Sequence, residues 1–115
     1  MTIIEYKLPD GDLASRSLAI PQRHKIESLL REGKVVSLDL KGVFSISESY
    51  SDEIFGVLVV KLGAKKILSS LKIKNASPYI LRSIAKVIQR RSNEVIEKKD
   101  NFDTFHTTQK KWIAC

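Results

Sequence analysis

The chain of 115 residues is expected to form a single α/β domain, a small mixed sheet with helices mainly on one face. Three observations predict this. Strand-like and helix-like stretches alternate along the sequence, which favours parallel strand pairs joined by crossover helices. Residues 35–43 are β-branched and apolar apart from Ser37, Asp39 and Lys41, as in a strand at the centre of a sheet. Serine and acidic residues at 49–53, and Ser77-Pro78, mark helix starts on either side of a further alternating stretch.

In chain order, residues 2–8 alternate, with Ile4, Tyr6 and Leu8 opposed to Glu5 and Lys7, and predict a strand with one wet face. Pro9-Asp10-Gly11-Asp12 breaks it. Ser15, Arg16 and Ser17 suit the beginning of a helix, Pro21 suits a first helical turn, and Ile26, Leu29 and Leu30 supply its apolar stripe. Gly33 stops it. After the central strand, where Gly42 permits a bulge or a close backbone approach, Phe44 and Ile46 continue an inward alternation. Ser49 or Ser51 then caps a helix over residues 51–62, whose apolar character demands cover. Residues 64–74 predict a strand with a basic outer face. A helix from Ser77-Pro78 to about Lys98 buries Ile80, Leu81, Ile84, Val87 and Ile88 and ends before Asp100-Asn101. The domain is thus drawn over residues 1–100. A C-terminal extension over 101–115 carries Phe102, Phe105, Trp112 and Ile113, suited to a last strand, a packed extension or a docking segment.

Charge is uneven. The net charge is +7, yet residues 1–53 hold seven bases against nine acids, residues 54–93 hold nine bases and no acid, and the remainder balances at four of each. A block of one sign steers acidic partners or nucleic acid, or is simply a solvated surface. Within it Lys72, Lys74, Arg82, Lys86 and Arg90 form a basic patch, without the aromatic interleaving that base recognition uses. The single cysteine, Cys115, leaves no internal disulfide. No apolar run approaches a membrane span and no secretory leader pattern opens the chain, so a cytoplasmic location is expected. His24 and His106 stand alone as surface residues, and no metal cluster, cofactor motif or catalytic constellation is present in the sequence pattern.

The central stretch Leu38-Asp39-Leu40, followed by Gly42-Val43, resembles the strand of the STAS domain of bacterial anti-sigma-factor antagonists. The loop after it differs: Ser47, Glu48, Ser49 and Tyr50 stand where that group has Asp-Ser-Ser-Gly. Ser15-Arg16, then Asp39-Leu40-Lys41-Gly42-Val43, then Tyr50-Ser51-Asp52-Glu53 resemble, in that order, a STAS-like family of unknown function often joined to a histidine-kinase-like ATPase domain. The resemblance implies a non-enzymatic regulatory module that switches partners. Its protein partner, a histidine-kinase-like ATPase in that implication, would bind through residues 45–55, with Glu48, Tyr50, Asp52, Glu53 and Phe55 as contacts. By position Ser49 is the phospho-acceptor candidate, with Ser47 and Ser51 as alternatives in register; plain helix capping is the commoner role of such serines. Arg16, Asp39 and Gly42 read as structural, Asp39 as a backbone acceptor or as the anion of Arg16. Asp52 and Glu53 also suit simple compensation of the helix dipole. A homodimer is compatible with the apolar stretches. The reading from another class is nucleic-acid association through residues 54–93.

Overall fold

A computed structural model describes the backbone of residues 2–107 and the side chains of residues 2–94. Three parallel strands form the main sheet in the order β1 (Ile3–Lys7), β3 (Val35–Asp39), β5 (Leu71–Lys74). A second, two-stranded ladder pairs β2 (Gly11–Leu13) with β4 (Val43–Ile46), again in parallel. The expected mixed sheet therefore has one direction in each of these pairings. The central place of β3 follows from its composition, since Val36 and Leu38 are fully buried and Val35 and Ser37 are covered on the opposite face.

Helix α1 (Arg16–Arg31) begins after Ser15 and ends at Gly33, whose φ of +85° suits a residue without a Cβ. Pro21 lies inside this helix rather than in its first turn. It sits on the exposed side, where water can take up the Ser17 carbonyl that loses its helical donor. From residue 48 the chain runs as a composite helix: α2 (Glu48–Ser51), a π-helical turn (Asp52–Gly56) and α3 (Val57–Leu62). The wide turn brings five consecutive residues to buried positions between α1 and the C-terminal helix α5 (Pro78–Thr107). Ile54, Phe55 and Leu58 are fully buried there, each stabilising the fold by about 1.5–3 kcal/mol.

Residues 64–74 divide into α4 (Ala64–Ser70) and the short strand β5, where alternation had predicted strand throughout. Ala-Lys-Lys-Ile-Leu is good helix-forming sequence, and one turn of it buries Ile67 in the core. Helix α5 (Pro78–Thr107) starts at the expected cap, Ser77, whose hydroxyl accepts from the Ile80 N–H at 3.2 Å. It runs past Asp100-Asn101, so Phe102 and Phe105 stand on helical backbone and not on a strand. The other tail positions singled out in the sequence, Trp112 and Ile113, lie outside the described residues. Leu81 and Phe44 correct the expected inward sets: they are 44% and 81% exposed, while Ile46, Ile80, Ile84 and Val87 are buried as expected. One core joins Val36 and Leu38 of β3 to Ile26 and Leu30 of α1, Ile67 of α4 and the buried stripe of α5, which gathers the helices on that face of the sheet.

Candidate functional site

The loop from β4 into the composite helix is fixed by the small ladder. Ser47 donates its backbone N–H to the Leu13 carbonyl at 2.7 Å, and its hydroxyl donates to the Ala14 carbonyl at 2.7 Å. The same oxygen accepts the Tyr50 N–H at 3.0 Å, making Ser47 the N-cap in place of Ser49 or Ser51. Ser47 is thereby corrected as a phospho-acceptor alternative, because its hydroxyl is committed on both sides. Ser51 is corrected too: it is fully buried. Ser49 is exposed, and borders a shallow polar pocket of about 180 Å³ with Arg16, Glu48, Asp52 and Arg90.

Beneath that pocket lies a network of charges. Asp52 accepts two hydrogen bonds from Arg91, Nε at 2.8 Å and Nη2 at 2.7 Å, the planar fork of a guanidinium meeting one carboxylate. Arg16 reaches both acids, Nη2 to Asp52 Oδ2 at 3.2 Å and Nη1 to Glu53 Oε1 at 3.1 Å. Arg23 donates Nε to Glu53 Oε2 at 2.9 Å and Nη1 to Glu27 at 2.6 Å. Asp52, Glu53 and Arg23 are all buried. Helices α1 and α5 are thus tied to the π turn between them by ion pairs. Adjacent helical acids diverge too far to share a small ion easily, but the width of the guanidinium allows Arg16 to bridge them.

This arrangement corrects the expected partner contacts. Tyr50 and Phe55 are core residues and Asp52 and Glu53 are internal counter-ions; of the five, Glu48 alone faces solvent, paired there with Arg90. Arg16 pairs with Asp52 and Glu53 rather than with Asp39. Asp39 is the backbone acceptor: its Oδ1 receives the Lys41 N–H at 2.9 Å and Asn75 Nδ2 at 2.8 Å, joining the ends of β3 and β5. The Asn75 and Lys41 donors hold its carboxyl below the ordinary value. Gly42, at φ +88°, supplies the anticipated close approach, since a Cβ there would lie 2.4 Å from Asp10 Oδ1. The basic patch is divided. Lys74 pairs with Glu5 at 2.6 Å and Arg90 with Glu48, while Lys72, Arg82 and Lys86 are exposed.

Arg23 and Arg91 were missed in the sequence as members of this network, though a signal was available. Arg23 stands in register with Ala19, Ile26 and Leu30, and Arg91 continues the spacing of Ile84 and Val87. A charged residue on the buried stripe of a helix demands a buried counter-ion.

The Arg91 hydrogen bonds, joined by Arg16, hold the Asp52 carboxyl at about 2, from an ordinary 3.8, against the upward push of burial. A carboxyl with a depressed folded-state pKa stabilises the fold fully above its unfolded value and loses that contribution as pH falls through the folded one. Stability should therefore decline as pH drops from 3.8 towards about 2. Acid unfolding followed by circular dichroism checks this, and Asp52→Asn should remove that component of the profile.

Once placed on this fold, the sequence motifs have a family. The family model of the STAS-like domain of unknown function (DUF4325) matches residues 20–81, more than half of the chain. The chain belongs to this STAS-like family, whose character points to a regulatory module. No curated protein and no solved structure matches it significantly. Among the described residues no three His, Cys, Asp or Glu side chains cluster as a metal site, and no helix is long and apolar enough to cross a membrane.

Proposed function

We propose that this chain is a non-enzymatic regulatory module that binds a protein partner through the surface around Glu48 and Ser49, and that phosphorylation of Ser49 switches the binding. The observation that carries the reading is the exposure of Ser49 at the pocket it shares with Arg16 and Arg90. A phosphate adds a charge of about −1.5 to −2 and three strong acceptor oxygens. On Ser49 it would compete with Glu48 for Arg90 and be repelled by Glu48 and Asp52, rearranging a surface while the buried pairs beneath stay in place. Phe44, exposed on β4 just before this loop, adds an apolar contact to the same stretch of chain. The resemblance suggests a histidine-kinase-like ATPase as the partner.

The test is capture of partners from the native cytoplasm, after nuclease, with wild type, Ser49→Ala and Ser49→Asp. A protein held by wild type and Ser49→Ala and released by Ser49→Asp is the expected result; equal capture by all three would sink the switch. Glu48→Lys is the proper surface variant, because lysines at 52 and 53 would break the interior instead. Nucleic-acid association is the second reading, favoured by the exposed Lys72, Arg82 and Lys86 and weakened by the surface pairing of Lys74 with Glu5 and of Arg90 with Glu48.

A further inference from the structure

On the outer side of α5, Tyr79, Arg82, Ser83 and Lys86 line a small pocket of about 190 Å³. Their spacing of three, one and three residues places them on one stripe of the helix. The stripe is held outward because Ile80, Ile84 and Val87 of the same turns are buried. Tyr79 is 66% exposed, and Arg82 and Lys86 are exposed beside it. No acid lies in the lining. Further along the helix Arg90 and Arg91 are taken by Glu48 and Asp52, whereas among the described residues no ion pair involves Arg82 or Lys86. In the sequence pattern the basic patch lacks an aromatic partner. On the helix Tyr79 stands one turn before Arg82 and Ser83, so ring and cations share one pocket.

We infer that this pocket binds single-stranded nucleic acid, one base lying on the Tyr79 ring and successive phosphates on Arg82 and Lys86. The site rests on the second reading above, to which it gives a place, and does not depend on the Ser49 switch. A lone exposed aromatic is ordinary on a protein surface. Beside two unpaired cations it selects a ligand that offers both a flat π face and negative charge. Every base has such a face, so stacking tolerates any sequence. A duplex hides the faces of its bases within its own stack, and an acidic peptide would use the cations and leave the ring idle. The Arg82 guanidinium can take a phosphate through two parallel hydrogen bonds, and the Ser83 hydroxyl adds a donor beside it. Arg82 and Lys86 are separated by about 6 Å along the helix axis, close to the step between phosphates in an extended single strand. The surrounding charge favours approach, since residues 54–93 hold nine bases and no acid.

Fluorescence anisotropy of a short labelled oligothymidylate, titrated with the full chain at several salt concentrations, tests the site. Wild type should bind it, and the matching oligouridylate comparably, since neither contact reads the sugar. Tyr79→Ala should weaken binding by roughly tenfold at every salt concentration, while Tyr79→Phe keeps it. Arg82→Gln and Lys86→Gln should each flatten the slope of log K against log salt by about 0.7, the share of one phosphate on a single strand. Loss of stacking leaves that slope alone, so the two kinds of variant are distinguishable, and circular dichroism checks their folding. No binding by wild type would overturn the inference and the second reading together. Binding indifferent to all three positions would overturn the inference and leave that reading standing. A duplex or polyglutamate bound as tightly as the single strand would overturn it too, and would point to a ligand recognised by charge alone.

Discussion

Asp52→Asn should lower stability by about 2–4 kcal/mol, enough to shift the melting temperature of a domain of this size by roughly 10–25 °C. The carboxylate is 5% exposed and answers three arginines: Arg91 with two hydrogen bonds, Arg16 with one, and Arg90 at 3.6 Å. Asparagine keeps the shape but not the charge, and its amide would turn donor against donor. Removing one partner of a buried ion pair costs about 3–5 kcal/mol. The lower figure is expected here because the Arg16 and Arg91 side chains are 46% and 30% exposed and regain water. Glu48→Gln is the control. It loses an ion pair whose two side chains are 70% and 44% exposed, a change of under about 1 kcal/mol. Thermal and urea unfolding of the two variants distinguish the buried pair from the surface one.

Gly56→Ala should destabilise by about 2 kcal/mol, against the usual sign. In an ordinary helix interior alanine is favoured over glycine by roughly 0.5–1 kcal/mol. At Gly56 the new Cβ would stand 2.3 Å from Asp52 Oδ1 and 3.0 Å from Arg91 Cγ. Gly56 is buried in the π turn, so the carboxylate or the arginine stem must yield, and overpacking of this kind costs about 1–3 kcal/mol before any loss of the ion pair. Glycine is present because the Asp52–Arg91 contact passes over it. In an Asp52→Ala background the clashing oxygen is gone, so the penalty for Gly56→Ala should shrink markedly. An undiminished penalty would place its origin elsewhere.

A helix that ends at Leu62 before Gly63, the buried β3 and the start of α5 at Ser77-Pro78 were legible in the sequence from period and punctuation. The true cap, Ser47, stands ahead of the expected Ser49 or Ser51, and nothing local marked the π turn. Residues 64–74 were not legible, because alternation in Leu71-Lys72-Ile73-Lys74 was extended backwards over a stretch that could satisfy either period. Leu81 and Phe44 were assigned inward by pattern, but a pattern cannot say where neighbouring elements stop covering a face. The site was legible in parts. Ser15-Arg16 and Asp52-Glu53 were recognised as separate motifs, and their direct pairing depends on α1 and the π turn packing together across the fold. Acids placed near a helix start suggested a solvent-facing rim; the arginines on the buried stripes of α1 and α5 turn them inward.

Asp52 and Arg91 act as one internal clamp beneath an exposed Ser49 surface. A double-mutant cycle of Asp52→Asn and Arg91→Met, read by urea unfolding, measures it most directly. The double variant should be more stable than the sum of the single losses implies, with a coupling of about 2 kcal/mol. Losses that add within about 0.5 kcal/mol would contradict it, and would mean that the two side chains meet without holding the fold together.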